Sequence, residues 1–218
     1  MDSDVANAQT FVFADLAGYT ALTEVHGDEF AADTAAEFRA AAHRLLAEAR
    51  GEEIKTLGDG LMLRVPDATA AIRLGARLVA GNLRHRALGV RVGMHSGPAL
   101  QRGGDWFGTT INVAARVAAL AKAGEILVTA ATREAAEPGL CGTLLDPRGS
   151  VQLRHVAEPI ELCAVRLDDP LLPIDPVCHM ALDPARATAS RDHRGVEQRF
   201  CSHACADAFD RDPERYTP

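Results

Sequence analysis

Lysine is almost missing from this chain. Only Lys55 and Lys122 are present, and every other cationic side chain is arginine or histidine. No block of basic residues occurs, and the net charge is −7 with acids and bases interspersed. A nucleic-acid polymer is therefore an excluded partner, because nothing is clustered to neutralise its phosphates. No apolar run approaches the roughly 20 residues of a membrane span, so no membrane is expected as partner either. The opening residues carry no signal-peptide pattern. Cysteine is sparse and odd in number: Cys141, Cys163, Cys178, Cys201 and Cys205. Those features together read as reduced thiols in a cytoplasmic protein. The 218 residues that remain to be explained suffice for one large domain and one small one.

The most informative stretch is Glu53-Ile54-Lys55-Thr56-Leu57-Gly58-Asp59-Gly60. It reads as a strand entering a tight turn, with two glycines flanking an aspartate at the tip. Such a tip can aim a carboxylate at an ion or a phosphate. Lys55 is either a solvated strand lysine or a compact ammonium donor serving a site. Upstream, Thr10 to Ala14 is a short β-favouring run ending at Asp15, followed by a turn at Leu16–Thr20. A long helix is expected over Asp28–Arg50, with Phe30, Thr34, Phe38, Ala41, Leu45 and Ala49 on its buried face. A hairpin follows across Gly58–Gly60, then a helix from the N-cap Asp67 to about Arg84, then a strand over Leu88–Met94.

That order is β-α-β-β-α-β, the ferredoxin-like plan of an α+β protein. It sets the first and third strands side by side and antiparallel, so Asp15 and Asp59 should meet at one edge of the sheet. Two carboxylates at one point repel unless divalent cations lie between them, and two-metal sites serve phosphoryl displacement. Further on, His95–Pro98 is expected as a turn and 103–108 as a glycine-bounded loop. A helix then runs from Thr109 or Thr110 to Ala121. Asn112 and Arg116 share one of its faces at i, i+4, near an end rich in unpaired N–H groups. Strands at Glu125–Thr129, Val151–Val156 and Pro159–Leu167 and a short helix at Thr132–Glu137 complete this part. Cys141 and Cys163 fall in expected strands and read as core.

Four ordered motifs then resemble the class III nucleotidyl cyclase catalytic domain, whose likeness covers about residues 8 to 167. They are Phe13–Thr20, Lys55–Gly60, Arg91–Pro98 and Phe107–Arg116. The resemblance implies an adenylate cyclase that converts ATP to 3′,5′-cyclic AMP and pyrophosphate. Asp15 and Asp59, with the Leu16 carbonyl, would hold two Mg²⁺ or Mn²⁺ ions. Lys55 and Asp105 would read adenine, Asn112 would orient the ribose, and Arg116 would stabilise charge on the α-phosphate. Arg154, in Leu153-Arg154-His155-Val156, stands where the family has a triphosphate-binding lysine. The family works as a head-to-tail dimer, so a homodimer with two composite sites is expected. A non-catalytic nucleotide- or metal-responsive regulator and a guanylate cyclase are the alternatives.

Beyond a proline-bearing linker come Asp175-Pro176-Val177-Cys178-His179-Met180 and Phe200-Cys201-Ser202-His203-Ala204-Cys205, and with these the last residues resemble a YHS domain, similar to TRASH-type metal modules. The divisions expected are 1–168 for the cyclase domain, 169–174 for the linker and 175–218 for the tail. Its thiols are spaced C-x22-C-x3-C as Cys178, Cys201 and Cys205. Three soft donors suit Zn²⁺ or Cu⁺, with His203 or His179 as a fourth. Glycine usually stands in the family where this chain has His179.

Overall fold

A computed structural model describes residues 4–84, 88–136, 145–167, 173–180, 182 and 187–217. Strand β1 (Asp4–Leu16) is the spine. It lies between β3 (Gly60–Val65) and β4 (Val90–Arg102), antiparallel to both. With β2 (Glu52–Leu57) outside β3, the order β2-β3-β1-β4 is the ferredoxin-like arrangement expected from the sequence. The sheet continues through β6 (Ile126–Thr129), β8 (Ile160–Val165) and the edge strand β7 (Leu145–Val151). Helices α2 (Asp28–Glu48) and α3 (Ala68–Arg84) pack together and α3 lies on the sheet. Helix α4 (Thr109–Leu120) lies against β1 and β4, and α5 (Ala130–Ala135) follows β6. Asp67 caps α3 by accepting from the Ala70 N–H at 2.6 Å.

The long pairing of β1 with β4 overrides the turn expected at His95–Pro98. Strand β4 runs straight through it, and the irregularity is taken up as a bulge in the β1–β4 register between Ala6 and Gln9. Pro98, which has no N–H to donate, is tolerated at such a break in the ladder. After Gly103 and Gly104, both at positive φ, β5 (Asp105–Phe107) folds back on β4, where a loop was expected. The closing strand also begins earlier than expected, at Leu145 rather than Val151. Edge position and a bulge between Pro147 and Gly149 let that proline-bearing segment pair. Residues 153–156 instead make a turn, with Val156 N–H donating to the Leu153 carbonyl at 3.1 Å.

Gly93 sets how closely α4 meets the sheet. A Cβ there would lie 2.0 Å from the backbone nitrogen of Ala118. The face of α2 is one residue away from that expected: Ala31, Ala35, Phe38, Ala42 and Leu46 are buried, while Phe30 is exposed. A helix absent from the sequence expectation, α1 (Tyr19–His26), fills the turn after β1 and buries Leu22.

The tail is a hairpin, β9 (Ala189–His193) and β10 (Val196–Phe200), followed by α6 (His203–Arg211). Its apolar residues Val177, Phe200 and Phe209 belong to the same buried cluster as Leu22, Phe38 and Val90 of the large domain. Cys163 is buried in β8, whereas Cys141 and most of the linker lie outside the described residues. Among the described residues, no helix is long and apolar enough to cross a membrane.

Candidate active site and the tail cluster

Asp15 is the penultimate residue of β1 and pairs in register with Gly60, one residue past Asp59 in the hairpin turn. The sheet therefore brings the two carboxylates to one corner. A Cβ on Gly60 would sit 3.0 Å from Asp15 Oδ1, so the bare backbone leaves room for the acid. Burial pushes the Asp59 carboxyl up from its ordinary value, and the neighbouring Asp15 charge pushes it further. The corner holds one cation of its own: Arg91, directly across from Asp15 on β4, donates through Nε to Oδ2 at 2.7 Å and also through Nη2. Asp15, Asp59, Arg91, Leu57 and the small side chains Ala115 and Ala118 of α4 line a cavity of about 300 Å³. The Leu16 side chain is buried, and its residue ends the strand opposite Val90.

This donor set fits a hard divalent cation. Two carboxylates converge, one raises the pKa of the other, and the present counter-charge is a guanidinium already salt-bridged to Asp15.

A second group of residues gathers on a different part of the chain. A bulge between Glu53 and Lys55 resets the parity of β2. Lys55 Nζ then reaches Asp105 Oδ2 at 2.5 Å, with both side chains partly exposed. The Lys55 ammonium beside Asp105 holds that carboxyl below its usual value. Asp105 is fixed from behind by Trp106. That ring is buried against Phe11 in an edge-on contact at 5.6 Å, and its indole N–H donates to Glu52 at 3.1 Å. Ile54 packs on the same cluster, so the backbones that carry Lys55 and Asp105 share one apolar anchor. Asn112 is exposed and Arg116 half-buried on α4, and neither lines the carboxylate cavity. Arg154 is exposed in the turn after β7.

In the tail, three thiols converge from separate segments. Cys178 Sγ lies 3.5 Å from Cys201 Sγ, which lies 3.6 Å from Cys205 Sγ. His203, expected as a fourth donor, is exposed at the start of α6 and stands outside this group. His179 is outside it too; its ring packs on Gly18. The histidine that does join is His26, the last residue of α1, with Nε2 3.6 Å from Cys201 Sγ and 3.7 Å from Cys205 Sγ. A lone histidine 152 residues before the first of these thiols carries no local signal of this role.

A buried aspartate organises the cluster. Asp175 is 0% exposed, and its carboxylate accepts from the N–H groups of Val177 at 2.8 Å, Cys178 at 3.3 Å and Cys201 at 2.7 Å. Ser202 caps α6 by accepting from the Cys205 N–H at 3.2 Å. His179 takes the left-handed conformation, φ 60, which explains why glycine suits that position.

A ferredoxin-like sheet with paired carboxylates at the end of its central strands, and a lysine–aspartate pair outside their cavity, defines a nucleotidyl-cyclase class of domain. Residues 1–162 match the model of the adenylate and guanylate cyclase catalytic domain, and the chain belongs to that family. Residues 174–218 match the YHS domain. A pH-sensitive adenylate cyclase of Mycobacterium tuberculosis is 35% identical over 164 residues, 74% of this chain and 41% of that protein. An adenylate cyclase of Streptomyces griseus is 34% identical over 120 residues, 55% of this chain and 30% of that one. The chain thus spans less than half the length of these curated relatives. Among solved structures, an adenylate cyclase of Trypanosoma brucei in its monomeric state superposes with a TM-score of 0.69 at 21% identity, covering 92% of this chain and 98% of that one. The adenylyl cyclase CyaB of P. aeruginosa gives 0.65 at 18% identity, covering 79% and 100%. At those identities the likeness establishes the fold.

Proposed function

We propose that this chain is an adenylate cyclase that closes ATP to 3′,5′-cyclic AMP and pyrophosphate in composite sites of a homodimer. The observation that carries the reading is the separation of two half-sites. The Asp15–Asp59 corner lies at one place, and Lys55, Asp105, Asn112 and Arg116 lie outside its cavity. Within one chain the corner's cavity is lined by none of the residues read as purine, ribose and α-phosphate contacts. Pairing two chains head to tail completes both half-sites. Exposed Leu57 beside the corner and exposed Phe107 beside α4 supply apolar surface for such a contact.

Asp15, Asp59 and the Leu16 carbonyl would hold Mg²⁺ or Mn²⁺, which when bound would activate the ribose 3′-hydroxyl and neutralise the triphosphate. Arg91 holds the Asp15 carboxylate in orientation within the corner. From the other chain, Lys55 would donate to N1 of adenine while Asp105 accepts from the 6-amino group. Guanine presents a donor and an acceptor in the reverse places, so this pair favours ATP. Asn112 would hold the ribose so that its 3′-oxygen faces the α-phosphorus, and Arg116 would stabilise charge developing on the α-phosphate. Arg154 would contact the departing pyrophosphate as a bidentate fork.

The test mixes two inactive chains, Asp59→Ala and Arg116→Ala. Random pairing should restore about a quarter of the wild-type rate, because half the dimers are mixed and each holds one intact site of two. Failure of the mixture to recover any activity overturns the shared site. Cyclic GMP as the main product of an equimolar ATP and GTP incubation overturns the substrate, and absence of either product favours the regulator.

A further inference from the structure

The tail and the large domain meet at the thiol cluster, and the geometry there is that of a metal site spanning both. We propose that His26, Cys178, Cys201 and Cys205 form a four-ligand Zn²⁺ site whose imidazole comes from the cyclase domain, so that the ion fastens the tail to the helix that follows the Asp15 strand.

The distances support a tetrahedron. Zn–S bonds of about 2.3 Å and Zn–N bonds of about 2.0–2.1 Å place neighbouring donor atoms about 3.5–3.8 Å apart. The contacts Cys178–Cys201, Cys201–Cys205, Cys201–His26 and Cys205–His26 measure 3.5, 3.6, 3.6 and 3.7 Å. All four donor atoms lie within 4.8 Å of one another. The donors come from four different local structures: the end of α1, the turn after Asp175, the end of β10 and the first turn of α6. Each has a contact behind it. Asp175 accepts from two of the cysteine N–H groups, Ser202 accepts from the third, and Phe30 packs on the His26 ring at 5.3 Å. Outer contacts of this kind orient ligands and tune their affinity.

Zinc is favoured over copper(I) because the fourth donor is an imidazole completing a closed tetrahedron. Copper(I) is satisfied by two or three thiolates and would leave His26 dispensable.

The site sits at a junction with the catalytic loop. His26 ends the helix that begins three residues after Leu16. On the other side of the tail's turn, the His179 ring abuts Gly18, where a Cβ would lie 2.2 Å from Cδ2. The His179 carbonyl accepts from the Gly89 N–H at 3.2 Å, and the Gly89 carbonyl accepts from the Ala17 N–H at 2.8 Å. Leu88 and Met180 form an isolated antiparallel bridge beside them. Gly18 is thus abutted by a ring of the tail, and Ala17 bonds to Gly89, whose own N–H donates to the tail. The metal clamps the far end of the same helix.

The experiment uses the full reduced chain, stripped with a chelator and titrated with Zn²⁺, Co²⁺ or Cu⁺ against a competing chromophore, with native mass spectra for stoichiometry. One Zn²⁺ per chain is expected. Co²⁺ should give the intense visible d–d bands of a tetrahedral site and sulfur-to-metal charge transfer. His26→Ala should weaken Zn²⁺ binding at least 10-fold and alter the Co²⁺ bands, while His203→Ala leaves both unchanged. Zn²⁺ should also protect the tail from proteolysis in wild type and not in His26→Ala. Wild-type zinc affinity and Co²⁺ spectrum in His26→Ala, or weakening by His203→Ala instead, overturns the interdomain site. Failure of the reduced chain to bind Zn²⁺ at micromolar concentration shows the thiols to be core packing. Tighter Cu⁺ binding that His26→Ala does not affect reassigns the metal. None of these outcomes depends on whether the chain makes cyclic AMP.

Discussion

The carboxylate corner and the thiol cluster are both convergences of ionisable side chains, yet they are built in opposite ways. The corner uses hard oxygens, is partly open to solvent, and is drawn together by one antiparallel register within one domain. The cluster uses soft donors, is largely buried, and gathers four short segments from two domains. A site that must admit and release a nucleotide needs an open edge and tolerates an unbalanced charge. A site that fastens two domains needs buried donors and rigid backbones behind each of them. The charge at the corner reflects that difference: Asp59 is pushed up and awaits counter-charge, whereas the N–H groups converging on Asp175 hold the cluster's frame.

Removing one donor from each centre should separate their roles most sharply. Asp59→Ala should lower the rate of cyclic AMP formation by roughly 10²–10³-fold, the scale of losing one preorganised charged group, with zinc stoichiometry unaltered. Cys201→Ser should do the reverse for metal content: the bound Zn²⁺ falls from one per chain toward none, measured on the same preparations. Loss of zinc in Asp59→Ala would show that the two centres are not independent.

Gly18 joins the two regions, and its replacement probes that junction. Its φ is 85, and an added Cβ would strike the His179 ring at 2.2 Å. Gly18→Ala should therefore cost about 1–3 kcal/mol from overpacking and a strained backbone. Thermal unfolding and protease sensitivity of the tail would check it. An unchanged midpoint would mean that the tail does not rest on the loop in solution.

Within the cyclase half, Lys55→Ala tests purine reading. Losing a hydrogen bond from a charged donor, about 1.5–3 kcal/mol, corresponds to a fall of roughly 10–100-fold in kcat/KM for ATP. The fall should be smaller for GTP, which narrows the preference. Equal losses for both nucleotides would place Lys55 outside base recognition.

The two centres were also unequally legible. Asp15, Asp59 and Lys55 lie at strand ends, turns and short strands, where local sequence states both the residue and its geometry, whereas Asp105 was expected in a loop and lies in β5. The ferredoxin-like order sets β1 beside β3 and antiparallel to it, so the meeting of the acids was readable. The cluster was only half readable. Its thiols announce themselves by type and spacing, but His26 does not. Helix α1 has eight residues, no side-chain cap and a single buried residue, so its pattern is too short to stand out. Phe30 reads as core by helical spacing, yet it is exposed and its ring lies tilted against His26 at 5.3 Å. Bulges defeated the local reading elsewhere: the break beside Pro98 hid a continuous β4, and Pro147 on an edge hid the start of β7.

A last contrast sets His26 against His95, the histidine at the centre of the sheet. His95 is part-buried on β4 and shares a 2.8 Å hydrogen bond with Thr129 Oγ1, and among the described residues it has no acidic ion-pair partner. Burial lowers its pKa from the ordinary 6.5. In the unfolded chain the ring takes up a proton near pH 6.5, while the folded chain refuses it until a lower pH. The unfolded state therefore binds more protons across that window, and stability falls as pH drops below about 6.5 until the folded ring also protonates. His95→Gln keeps a polar partner for Thr129 and removes the titration. The expected result is a urea midpoint that falls less steeply between pH 6.5 and 5 than in wild type, by a small margin. Comparing the two chains at each pH, both stripped of metal, isolates this ring from acid loss of the thiol cluster. Parallel midpoints would mean that His95 gains its proton as readily folded as unfolded, and that burial in the sheet does not keep it neutral.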